Sequence, residues 1–154
     1  MSFLNLITGG LLFRGGRAEQ MTADCSGLSF SERNAAIKKA RELDEMMKSA
    51  TIKELFKARQ EVAGRLNGGA PPHIQAWAQQ MLEITDQEIV LRSEYELGPQ
   101  RRQIMDASIK GMNPQARQHA LLWTKQKRHL VYGLDPNIDK ELAEDERVLG
   151  GAPS

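Results

Sequence analysis

Apolar residues in this chain recur at intervals of three and four over most of its length, the signature of amphipathic helices. Ala36, Ile37, Ala40, Leu43 and Met47 form the first such stripe and predict a helix over residues 31–48. Ser29 precedes it, three residues before Glu32. In this capping-box spacing the two side chains satisfy each other's free backbone amides. Thr51 and Glu54 repeat the box, and Ile52, Leu55, Phe56, Val62, Ala63 and Leu66 carry a second stripe until Asn67-Gly68-Gly69 stops it, predicting a helix over 52–66. A third helix opens at Pro71-Pro72, where a missing amide costs nothing. Its main face is Ile74, Trp77, Ala78, Met81, Ile84 and Leu91, with Leu82 and Ile89 to one side. The expected core gathers Leu55, Phe56, Val62 and Leu66 with Trp77 and Met81, and Phe56→Ala is expected to cost about 3–5 kcal/mol.

Unbroken from residue 73 to Leu97, the third helix would be about 37 Å long. Against a radius of gyration near ~15 Å for a compact domain, that implies an elongated body. Gly98-Pro99 ends it, and Pro99 opens a fourth segment reaching Lys110. Asn113-Pro114 and Asp135-Pro136 each pair a capping side chain with proline at the first helical position, predicting helices over about 114–132 and 136–148. No two-residue alternation competes, so the expected fold is all-α: an elongated bundle of about five helices without sheet.

The first 28 residues break this pattern. Phe3, Leu4, Leu6, Ile7, Leu11, Leu12 and Phe13 are interrupted by Gly9, Gly10, Gly15 and Gly16, and no acid occurs before Glu19. No Lys or Arg precedes the apolar stretch, which argues against a secretory signal, and Ser2 is not a myristoylation site. The stretch reads either as a terminus tucked on its own body or as an extended apolar arm that docks on a partner or a lipid surface. The expected organisation is an arm over 1–28, one helical domain over 29–149 and a tail over 150–154.

Composition narrows the chemistry. A chain of 154 residues, 40% hydrophobic and 27% charged, suits one globular domain, and with 5% aromatics its core must rest on Leu, Ile, Met and Ala. Apolar runs fall short of the roughly 18 residues a membrane span needs. The lone Cys25 excludes an intrachain disulfide and every thiolate zinc pattern. His73, His119 and His129 stand in no metal-binding spacing, the glycine pairs lack the lysine of a phosphate-binding loop, and no histidine lies near Ser26, Ser29 or Cys25 to activate a nucleophile. The expectation is a non-enzyme with no cofactor, metal or small-molecule substrate, cytoplasmic or virion-associated.

Charge changes the picture again. Net charge is +1, yet residues 100–132 carry Arg101, Arg102, Lys110, Arg117, Lys125, Lys127 and Arg128 against Asp106 alone, about +6. The helix before this block and the segment after it are each about −4. Either neighbouring helices cancel within one chain, or unlike faces meet across subunits and set partner choice. Arg101, Arg102, Lys125, Lys127 and Arg128 form the expected basic interaction patch. With Trp123 and Tyr132 beside it, the patch also suits nucleic acid, cations meeting phosphates and rings stacking on bases. Leu121, Leu122, Lys125 and His129 share one side of that helix, and Trp123 is expected to pack inward. The segments flanking Gly111–Asn113 have the order of a helix-turn-helix.

In this organisation the chain resembles small bacteriophage virion proteins such as connector, tail-adaptor and internal ejection components. The resemblance implies a helical structural or assembly subunit working with copies of itself, or with other subunits, in a ring or larger complex. The alternatives are a nucleic-acid-binding module using the basic 100–132 segment and a peripheral membrane protein inserting residues 3–13.

Overall fold

The computed structural model describes residues 16–151, and among them every regular element is helical. The elements are α1 (Arg17–Asp24), α2 (Phe30–Ser49), α3 (Ile52–Asn67), α4 (Pro72–Leu97), a 3₁₀ turn (Gly98–Gln100), α5 (Arg101–Lys110), α6 (Pro114–Leu130) and α7 (Pro136–Gly150). The predicted all-α character therefore stands. Packing divides the chain into two compact units that meet in sequence at Ile89 and Val90, within α4, where one helical domain was expected. Trp77, Ala78, Met81, Ile84 and Ile89 of α4 belong to the buried core of the first unit, and Val90 and Leu91, also buried, fall in the second.

In the first unit, local chemistry starts the helices where the spacing predicts. Ser29 N donates to Glu32 Oε1 at 3.0 Å while Glu32 N donates to Ser29 Oγ at 3.3 Å, a complete capping box. Thr51 Oγ1 accepts from Glu54 N at 3.2 Å, and Ala50, extended at ψ 142°, separates α2 from α3. Met47, Leu55, Met81 and Ile84 are fully buried together with Ala40 and Ala78, small residues that let the helices approach. Trp77 closes this core and donates from Nε1 to Thr22 Oγ1 at 2.8 Å, so its one polar atom is satisfied.

Two expectations are corrected here. Phe56 is 51% exposed, because the buried stripe of α3 runs through Leu55 and Ala58 and Phe56 lies about 100° round from Leu55. The arm expected over residues 1–28 is corrected where it is described, since residues 17–28 belong to the first unit: α1 packs on α2 and buries Ala18 and Thr22, with Cys25 and Leu28 following. Asp44, buried on α2, accepts from Ala18 N and Glu19 N, each at 3.0 Å, and so holds the free amides and the positive dipole end of α1. Arg17 is ion-paired with Glu88 at 2.5 Å and donates a hydrogen bond to Gln87 Oε1 at 2.8 Å. Phe3, Leu4, Leu6, Ile7, Leu11, Leu12 and Phe13 lie outside the described residues.

The capping box also sets a pH response. His73 Nε2, on the first turn of α4, lies 2.7 Å from Glu32 Oε2. That hydrogen bond, then those from the Ser29 backbone and hydroxyl, lower the Glu32 carboxyl from 4.5 to about 2. A carboxyl whose pKa falls on folding contributes stability that is complete above about 4.5 and is lost as pH falls toward 2. The midpoint difference between wild type and Glu32→Gln should therefore shrink as pH falls from about 5 toward 2 in denaturation series at stepped pH. A difference that grows on acidification would refute this contribution.

In the second unit, Asn113 Oδ1 accepts from Ala116 N at 2.7 Å, and Asp135 Oδ1 accepts from Asn137 N and Ile138 N at 2.9 and 3.3 Å. With Pro114 and Pro136 as first helical residues, both starts follow the predicted design. Helices α6 and α7 pack together, and Val90, Leu91, Ile109, Val131, Ile138, Leu142 and Leu149 are buried. Arg117 donates to the carbonyls of Leu149 and Val148 at 3.1 and 2.7 Å, so a cation on α6 covers the negative end of α7.

Candidate interaction surface

The basic block meets the acidic blocks within the second unit. Gly98, at φ +55°, ends α4 and opens the 3₁₀ turn that leads into α5, and Arg101 then stands beside Glu94. Arg101 is only 6% exposed. Its guanidinium donates to Glu94, to Asp145 at 2.6 Å and to Glu141 at 3.4 Å. Burial disfavours its charge, but the hydrogen bonds to Asp145 and Glu94 outweigh this and hold its pKa above the ordinary arginine value. Lys127 reaches the other Glu94 oxygen at 2.9 Å, and Arg102 pairs with Asp145 at 2.8 Å and Asp106 at 3.1 Å. Arg128 bonds Glu146 at 2.8 Å and Asp139 at 3.3 Å, and these bonds raise its pKa. Tyr95 Oη donates to Asp135, which ties the end of α4 to the cap of α7.

Of the five residues expected to form a basic interaction patch, Arg101, Arg102, Lys127 and Arg128 are thus engaged with acids of their own unit, and Arg101 lies in its interior. Lys125 is exposed and makes no ion pair among the described residues. Sequence alone could not separate these roles, because the deciding partners, Glu94 and Asp145, lie 33 and 44 positions away in the respective bonds.

The outward side of α6 has a different character. Pro114–Leu130 contains no Asp or Glu, and Leu122 is 57%, Trp123 49% and Tyr132 83% exposed. The expectation that Trp123 packs inward is corrected: Thr124 is the buried residue here, and Trp123 lies beside it, with Lys127 Nζ 5.9 Å from its ring centroid. Such a contact is worth about 0.5–1 kcal/mol at an exposed site. Leu122, Lys125, His129 and Tyr132 follow one another at intervals of three, four and three residues and are all exposed. The last three border a shallow depression of about 300 Å³ whose other walls are Arg128, Asp139 and Glu146. The sequence signal for this stripe was the shared side of Leu122, Lys125 and His129; Tyr132, in the turn after α6, extends it.

Other chemistry is sparse. Among the described residues no three of His, Cys, Asp and Glu are grouped to hold a metal ion, and no helix is long and apolar enough to cross a membrane. Cys25 is buried. No protein-family model, curated protein or solved structure matches the chain.

Proposed function

We propose that the chain is a non-enzymatic structural or assembly protein, a helical subunit that joins copies of itself or other chains through the outward side of α6. The observation that carries this reading is the exposure of Leu122, Trp123 and Tyr132 on and just beyond a helix that Arg117, Lys127 and Arg128 fasten to the rest of its unit. Large apolar side chains concentrated on a rigid element are the usual material of a protein interface core. A virion component of the connector, tail-adaptor or ejection type is the finer form of the proposal and rests on the architectural resemblance alone. The nucleic-acid reading has less support, because phosphate neutralisation draws on cations that are not already committed, and on this surface Lys125 is such a cation.

Native mass tests the proposal. Light scattering should give an assembly larger than the 17.2 kDa chain, and the double substitution Leu122→Ser, Trp123→Ser should reduce that mass while leaving helical content unchanged. A wild-type chain that stays at the monomer mass up to millimolar concentration would refute self-assembly.

A further inference from the structure

We propose that the stripe of Leu122, Lys125, His129 and Tyr132 is a docking seam for an acidic amphipathic helix of another polypeptide. The inference rests on the protein-contact reading of α6 and names the chemistry of the partner.

Four observations converge on it. The helical part of the stripe, Leu122 to His129, spans about 10 Å or two helical turns, and Tyr132 follows in the turn after α6, so the apolar groups stand at the ends of the stripe and the nitrogen donors in the middle. The ammonium of Lys125 makes no ion pair among the described residues, and His129 adds an exposed imidazole one turn on. No carboxylate competes for them: α6 has none, and the two that border the depression, Asp139 and Glu146, already bind Arg128. The helix is also held from behind by side-chain bonds to α7 and α4, so little order remains to be imposed on binding.

Complementarity then dictates the partner. A helix laid along the seam needs an apolar residue against Leu122, a carboxylate three residues on against Lys125, a second four further against His129, and an apolar residue three beyond that against Tyr132. The apolar ends supply affinity, whereas the exposed charges, individually weak, set register and exclude basic helices. A phosphate backbone fits less well, because it needs a row of uncommitted cations and the seam offers Lys125 with flanking apolar groups.

The test uses the full chain and a fluorescein-labelled helical peptide with the spacing Leu-x₂-Glu-x₃-Glu-x₂-Leu, read by anisotropy. Binding should weaken about tenfold or more when both Glu are changed to Gln, and likewise for Lys125→Glu, with Tyr132→Ser also weaker. Replacing the first peptide Glu by Lys should restore binding to Lys125→Glu, a rescue that general surface stickiness cannot produce. Equal affinity for the Glu and Gln peptides, or no binding at millimolar peptide, overturns the seam. Tighter binding of a DNA or RNA duplex that Lys125→Glu abolishes overturns it in favour of a nucleic-acid surface. If the chain proves monomeric yet binds the acidic peptide, self-assembly fails and the seam stands; if it assembles but ignores the peptide, the seam alone fails.

Discussion

Arg101→Ala is expected to lower the free energy of unfolding by about 3–5 kcal/mol, the range for breaking a buried ion pair from one side. The substitution leaves Glu94 and Asp145, both buried, without the guanidinium that holds them. Lys127 and Arg102 remain close to one carboxylate each, which places the loss inside that range rather than beyond it. Arg101→Lys keeps the charge but replaces a planar guanidinium whose three nitrogens each meet a different carboxylate by a single ammonium nitrogen, so it should fall between wild type and alanine. Lys48→Ala, which removes an exposed pair with Glu45, should change stability by less than about 1 kcal/mol. Urea denaturation of the three variants measures the series. An alanine variant as stable as wild type would mean that solvent, not protein, balances these carboxylates.

In the first unit, Trp77→Ala should cost about 3–5 kcal/mol, whereas Phe56→Ala should cost about 1 kcal/mol or less. Trp77 is buried against the core, and its removal also takes the hydrogen bond from Thr22. Phe56 is half exposed and leaves no closed cavity. Trp77→Phe should recover much of the packing but not the hydrogen bond. The same denaturation experiment ranks all three, and a Phe56→Ala loss matching that of Trp77→Ala would place Phe56 back in the core.

The contrast shows which parts of this molecule are legible in its sequence. Helix starts are local events: Ser29 with Glu32, Asn113 with Pro114 and Asp135 with Pro136 name their own amides within three residues, and the predicted boundaries agree with the structure to within two residues almost throughout. Phe56 and Trp123 lie exposed where the sequence predicts burial, because apolar identity does not say which of two adjacent positions faces inward, and a step of about 100° decides it. The pairing of charges was visible as blocks but not as partners. Whether Arg101 meets Glu94 inside its own unit or an acid elsewhere depends on the turn at Gly98, and the sequence shows only that a turn is there. For the interaction surface, the stripe on α6 was partly readable from spacing, while its exposure followed only from what the other faces of α6 contact.

Helix α1 failed to announce itself for a related reason, and that reason bears on the order in which the chain folds. An eight-residue helix is well below the roughly 12–15 residues at which an isolated helix becomes even marginal in water. Its Gly16 cap provides no side-chain bond; the acceptor for its leading amides is Asp44, 26 residues later, and Thr22 meets Trp77 a further 33 residues on. During synthesis, therefore, the residues of α1 leave the ribosome before everything that makes them helical. They must wait unstructured until α2 has formed and α4 has arrived, so the first of the described helices is among the last to fold.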